Sequence, residues 1–373
     1  MKKQGIMLAA SLLIMSCLSG CYYNLPQAAA EAGTGEAAAQ TQEADDTLTV
    51  SNGLFSVTLP PEAAGLFVAE TTDDGITIYE KEANEAGYGG YAFGIAAYKE
   101  PSEYAGGMDM KVGEFTDGDG TLYDIVVQYP SDIQYDYTKY EDVPQNYLLL
   151  TDSMEDVAKT VAGADGKGTF VWGGGTKGED LYPEVLAELV TAITEGYDAN
   201  RLEEEGMSSM YYAMSTASDG DVLDSVGYAF YDTNHDGVDE LLVGEIADGD
   251  WKGVVYDIYT MVDREPAHVL SGWDRSRYYA LKSGMVINEY SGGAAMSGWD
   301  VFDIEPNTTE ILPQVSFKVD EYENEDAPWF ISYDNGETWE SVPEEEFTEF
   351  LSRFQDYMRF DYTPLSEFSA AAG

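Results

Sequence analysis

The sequence predicts an α+β protein of two domains, each a mainly antiparallel β-sheet packed with helices. Apolar residues alternate with period two in short segments such as Phe55–Leu59, Gly75–Tyr79 and Tyr91–Ile95, which places one face of each in a core and one in water. The chain carries 28 tyrosines, a residue whose ring packs in a half-buried strand while its hydroxyl stays wet. In four places the apolar period changes to that of a helix: after Pro144, from Tyr182 to Tyr197, from Leu202 to Met214, and from Phe347 to Met358.

The first element is a leader. Lys2 and Lys3 precede an uncharged apolar stretch, residues 5–18, which is signal-peptide length and shorter than the about 20 residues a spanning helix needs. It ends at Leu18-Ser19-Gly20-Cys21, which resembles the lipobox of bacterial lipoproteins. The resemblance implies cleavage after residue 20, a diacylglycerol on the Cys21 thiol, and a place on the outer face of the cell membrane. Cys17 and Cys21 are the only cysteines, so the mature chain has no disulfide and relies on burial and metal for stability.

Residues 21–46 follow as a flexible tether rich in Ala, Glu, Gln and Gly, and its 25 residues after the cysteine span roughly 25–30 Å as a coil. Residues 47–162 form the N-terminal α+β domain, with hairpin turns at Asp73-Asp74-Gly75 and Asp117-Gly118-Asp119-Gly120. Seven glycines between 163 and 178 mark a linker, 163–180. Residues 181–365 form the C-terminal α+β domain. It opens with a helix around Leu186 and Leu189 and a second carrying Leu202, Met207, Met210, Tyr211 and Met214. It closes with a helix whose start, Ser341-Val342-Pro343-Glu344, has the form of a capping box.

Charge limits the partners. The chain has 18 basic and 70 acidic residues, and loss of Lys2 and Lys3 with the leader takes its net charge from −52 to −54. A surface this negative repels phosphate backbones and anionic headgroups, which excludes nucleic acid and confines membrane contact to the lipid.

One loop has the chemistry of a hard cation. From Asp232 to Glu240, oxygen donors recur at Asp232, Asn234 and Asp236. Gly237 permits the sharp turn, the Val238 carbonyl can face inward, and Glu240 closes the shell, so the expected cofactor is calcium. A strand, Asp-x-Asn-x-Asp-Gly-x-x-Glu and a second strand resemble the calcium loops of FG-GAP/VCBS and integrin-type repeats, though the unit occurs here once. Val243 stands where an EF-hand has its bidentate Glu. Ser332 to Trp339 resembles the Asp-box hairpin of sialidases, a structural motif, and is expected to be a tight turn with Trp339 beneath it.

Trp251, Trp273, Trp299 and Tyr290 form a possible binding face for a glycan, peptide or envelope partner. With two histidines, His235 and His268, and no nucleophile elbow or zinc motif, little supports Ser-His-Asp or zinc catalysis. Lipobox, acidic tether, calcium loop and Phe-rich closing helix together resemble uncharacterised cell-surface lipoproteins of low-GC Gram-positive bacteria. The expected function is therefore a surface-anchored, calcium-stabilised binding module without catalysis, with a carboxylate-based glycan hydrolase as the alternative.

Overall fold

In a computed structural model of the chain, residues 40–42, 48–99, 108–140, 142–217 and 220–369 are described. The leader, Cys21 and nearly all of the tether lie outside them. Among the described residues the strands form four sheets, of seven, five, six and three strands, with antiparallel pairings throughout. The mainly antiparallel α+β character expected from the alternation is what the chain adopts. No helix among the described residues is long and apolar enough to cross a membrane.

The N-terminal half is built on the seven-stranded sheet. Its order is Gln40–Gln42, Phe67–Thr71, Gly75–Glu80, Tyr91–Tyr98, Leu122–Gln128, Asp109–Thr116 and Thr169–Trp172. Both expected hairpins are present, and at the second the Asp117 carboxylate accepts the backbone N–H groups of Asp119 and Thr121, each at 2.9 Å. Tyr91–Tyr98 is buried along its middle six residues, which is why Ala92, Phe93, Ile95 and Ala97 interrupt the alternation there. Helix Gln145–Asp152 lies against that strand, fastened by the Tyr147 hydroxyl donating to the Tyr91 carbonyl at 2.9 Å. Two sequence expectations change here. Gln40–Gln42, assigned to the tether, pairs with Phe67–Thr71. The glycine-rich stretch also does more than connect, since Ala162–Gly163 pairs with Phe55–Thr58 and Thr169–Trp172 adds an edge strand beside Asp109–Thr116.

The C-terminal half pairs a five-stranded sheet with a six-stranded one. The first runs Glu265–Ser271, Asp257–Val262, Glu240–Glu245, Val226–Tyr231 and Thr363–Pro364. The second runs in chain order from Ser276–Ala280 to Glu340–Ser341. Helix Pro183–Thr194 buries Leu186, Leu189 and Ala192, with proline in its first turn where the missing N–H costs nothing. The expected second helix is two, Ala199–Glu204 and Met210–Ala217, because Gly206 at φ +71° ends the first turn sequence. Helix Glu344–Ser352 closes the six-stranded sheet. Phe347, Phe350 and Phe354 each approach the ring of Phe317 at 5.4–5.9 Å between centroids. The capping box does not form: Ser341 is drawn into a strand beside Phe330, and Pro343 stands at the N-cap with no side-chain bond.

Candidate metal centre

The loop expected to bind calcium joins strands Val226–Tyr231 and Glu240–Glu245, whose register brings Tyr231 opposite Glu240. Its turn uses two left-handed residues, His235 at φ +61° and Gly237 at φ +90°. The side chains wrap inward onto the loop's own backbone. Asp232 Oδ2 accepts from Gly237 N at 3.0 Å, Asn234 Oδ1 from Asp236 N at 3.1 Å, and Asp236 Oδ1 from Val238 N at 2.8 Å. Glu240 points into the base of the hairpin, where Oε2 accepts from the Thr233 N–H at 2.7 Å and hydroxyl at 2.6 Å, and Oε1 from the Thr260 hydroxyl at 3.2 Å. His235 is exposed, as its place in the pattern implied.

These carboxylates are held where charge is costly. Asp236 is 3% exposed and Glu240 fully buried. Burial pushes the pKa of Asp232, Asp236 and Glu240 upward, and the Asp236 charge adds to the effect at Glu240. Two atoms of the loop are buried without a hydrogen-bond partner, Asp232 Oδ1, which lacks a donor, and Asn234 Nδ2, which lacks an acceptor. As placed, no three His, Cys, Asp or Glu side chains among the described residues form a group set to hold a metal ion. The donor set nevertheless fits a hard cation. It consists of oxygens, its carboxylates are raised in pKa by the burial and mutual repulsion that a cation relieves, and one oxygen lacks any other partner.

The loop is also a joint, which its sequence did not reveal. The Asp236 carbonyl accepts the backbone N–H of Lys111 at 2.5 Å, and a Cβ on Gly237 would collide with the Lys111 carbonyl oxygen. Asp239, outside the expected donor set, binds the start of the second half. Its N–H donates to the Thr176 carbonyl at 2.9 Å, its Oδ2 accepts from Gly178 N at 3.1 Å, and its carbonyl accepts the Tyr182 hydroxyl at 2.9 Å. Next to the loop, fully buried Asp124 is paired with Lys111 at 2.9 Å and Arg264 at 2.9 Å. Arg264 reaches it from a hairpin turn in which both Asp263 and Arg264 have positive φ. A cavity of about 120 Å³ opens between these groups. Asp124 Oδ2, Arg264 Nε and Asn307 Nδ2 on its walls have no hydrogen-bond partner, although Arg264 Nε lies 3.9 Å from Glu114 Oε1.

The possible aromatic face divides. Trp299 packs its edge on Phe347 at 6.2 Å between centroids, and Tyr290, half-buried on the adjoining strand, fills the space over Gly298. Both serve packing. Trp251 and Trp273 are exposed, at 41% and 51%, and the Arg277 guanidinium lies 3.9 Å from the Trp251 ring centroid.

The structure also assembles a group that spacing had hidden. Asp257, fully buried, accepts from Ser208 N at 2.9 Å, from the Tyr211 hydroxyl at 2.5 Å, and from the Ser271 hydroxyl, and its Oδ1 lies 3.1 Å from His268 Nε2. Ser271, His268 and Asp257 thus meet, but Ser271 Oγ and Asp257 both address the same nitrogen, Nε2, at 3.1 Å. A nucleophile relay needs the acid on one ring nitrogen and the serine on the other. No family model, curated protein or solved structure matches this chain.

Proposed function

We infer that this chain is a lipid-anchored module of the outer cell surface, one that binds its partner without transforming it and is stabilised by calcium in the 232–240 loop. The observation carrying this reading is the buried, partnerless Asp232 Oδ1 beside two buried carboxylates of raised pKa, in a loop that fastens both halves of the fold. Asp232, Asn234, Asp236, the Val238 carbonyl and Glu240 would hold the ion, which supplies charge neutralisation rather than reactivity. The lipobox pattern and the acidic surface support anchoring through Cys21 with the body held off the headgroups. The shared use of His268 Nε2 by Ser271 and Asp257 speaks against a Ser-His-Asp relay at that group.

Calorimetry of the full-length protein tests the metal. By linkage, calcium at 100 times its dissociation constant adds about 2.7 kcal/mol to the stability of the folded state, so chelation with EDTA lowers the melting temperature and calcium restores it. Asp236→Ala reproduces the loss and no longer responds to calcium, and magnesium restores little because it demands a tighter octahedron and keeps its waters. Superimposable melts in calcium and in EDTA, with no ion bound in a direct titration, would exclude the calcium reading.

A further inference from the structure

Buried Asp257 organises a surface as well as a core. Its four partners fix His268 and Ser271 on a trough of about 550 Å³, lined also by Glu203, Gly206, Ser209 and Trp273. His268 is further held by the edge of Tyr259, 5.0 Å between ring centroids. With Nε2 engaged, the other ring nitrogen, Nδ1, stands on the side of Gly206, which places no side chain over it. The Ser271 proton is committed to Asp257, so its hydroxyl keeps a lone pair for an incoming donor.

Trp273 forms the rim. Its indole is half exposed although it is among the largest apolar groups in the chain, and the backbone beneath it is fixed by reciprocal hydrogen bonds with Ser276, both 2.8 Å. An exposed aromatic on a fixed backbone, beside fixed polar groups, limits the entropy lost when a ligand settles on it. A second trough of about 310 Å³, lined by Glu188, Thr191, Tyr197 and Glu205, shares Met207 with the first. Glu188, Glu203 and Glu205 line the two, and a cation beside them, Arg201, lies outside the lining with its guanidinium 3.3 Å from the Tyr197 ring centroid. The first trough, with Glu203 on its wall and no Lys or Arg among the described residues of its lining, therefore disfavours anionic ligands, and the second lies beside it across Met207.

We propose that this double trough is a carbohydrate-binding site for a neutral glycan chain, with one pyranose ring flat on Trp273 and its hydroxyls bonded to His268, Ser271 and Glu203. The C–H face of a pyranose is apolar and matches an indole, while its equatorial hydroxyls need donors and acceptors at the ring edge, which the Asp257-anchored pair and the glutamate supply. The proposal rests on the binding-module reading and gives it a ligand class, but it does not depend on calcium.

The test is titration of the full-length protein with cellotetraose, maltotetraose and chitotetraose, followed by intrinsic tryptophan fluorescence and calorimetry. At least one is expected to bind saturably. Trp273→Ala, at an exposed position and with an unchanged melting temperature, weakens that binding at least about tenfold. His268→Gln weakens it by a similar factor, while Trp251→Ala leaves it unchanged. Three outcomes overturn the proposal: no binding of any of the three up to their solubility limits, undiminished binding by Trp273→Ala, or displacement of nothing by glycans from a surface that takes a peptide library instead. In each case the calcium melts are unaffected, so failure here and failure of the metal reading are told apart.

Discussion

Gly237 shows how one residue serves two demands at once. Its φ of +90° is what the turn before Val238 requires, and its missing side chain lets the loop lie against the Lys111 carbonyl. The first demand is legible in the sequence, because glycine after Asp232-x-Asn234-x-Asp236 marks a tight turn. The second is not, since nothing near residue 237 announces that strand Asp109–Thr116 will run past it. Gly237→Ala should therefore cost more than a strained φ alone, about 2–4 kcal/mol in urea unfolding of the full-length protein. A loss near 1 kcal/mol would mean that the backbone conformation is the only burden and that the close approach to Lys111 relaxes freely. Glu240 teaches the complementary lesson. Its position fits the calcium pattern, yet its oxygens face Thr233 and Thr260, and the pairing with Thr260 depends on a strand one removed along the sheet.

At the scale of elements, what could be read in the sequence were those features set by neighbours in the chain. Hairpins with Asp and Gly turns, the helix Pro183–Thr194 and the strands flanking the 232–240 loop follow from local periodicity and turn chemistry. The capping box at Ser341 misled because the competing interaction is not local: pairing with Phe330 holds Ser341 extended in a strand. The preceding hairpin behaved as its Asp-box likeness implied. Asp334 accepts from Thr338 N at 2.8 Å, from the Thr338 hydroxyl at 2.5 Å and from the Ser332 hydroxyl at 2.7 Å, with Trp339 beneath Gly336. Those bonds, led by the Thr338 hydroxyl, hold the exposed Asp334 carboxyl down at about 2. Because its folded pKa lies below the unfolded value of about 3.9, its contribution is complete above pH 4 and is lost as pH falls through 2. Amide exchange at Thr338 should thus be faster in Asp334→Asn than in the wild type at neutral pH, and the difference should close as the pH approaches 2. A difference that stays constant with pH would assign the protection to the backbone turn and not to the ionised carboxylate.

Across the molecule, the described residues from Gln40 to Ser369 belong to one compact unit, yet the apolar interior is not continuous. One cluster runs from Val50 to Val161, and the others draw on residues from Tyr182 onward, with no buried residue in common. What crosses between them is largely polar: the Lys111 to Asp236 backbone bond, with Met110 beside it against Gly237, and Asp124 between Lys111 and Arg264. None of this was legible in the sequence, because Asp124 and Arg264 sit in different halves and each alone reads as a charge on a hairpin. Polar seams of this kind carry an asymmetric energetics. A buried carboxylate that keeps both cations is satisfied, but one that loses a partner is left with an uncompensated charge, at a cost of about 3–5 kcal/mol when the site is fully dry. Arg264 is about a third exposed, so water takes up part of that cost. The seam is thus the weakest link in cooperativity, since two cores joined mainly by polar bonds unfold together only while those bonds hold. In calcium, the wild-type protein is expected to melt in one transition with calorimetric and van't Hoff enthalpies equal. Arg264→Ala combined with calcium removal should split that transition in two, raising the ratio of the enthalpies, while Arg277→Ala, away from the seam, lowers no cooperativity. If the double perturbation shifts a single transition without splitting it, the halves are coupled by something other than the Asp124 cluster and the loop.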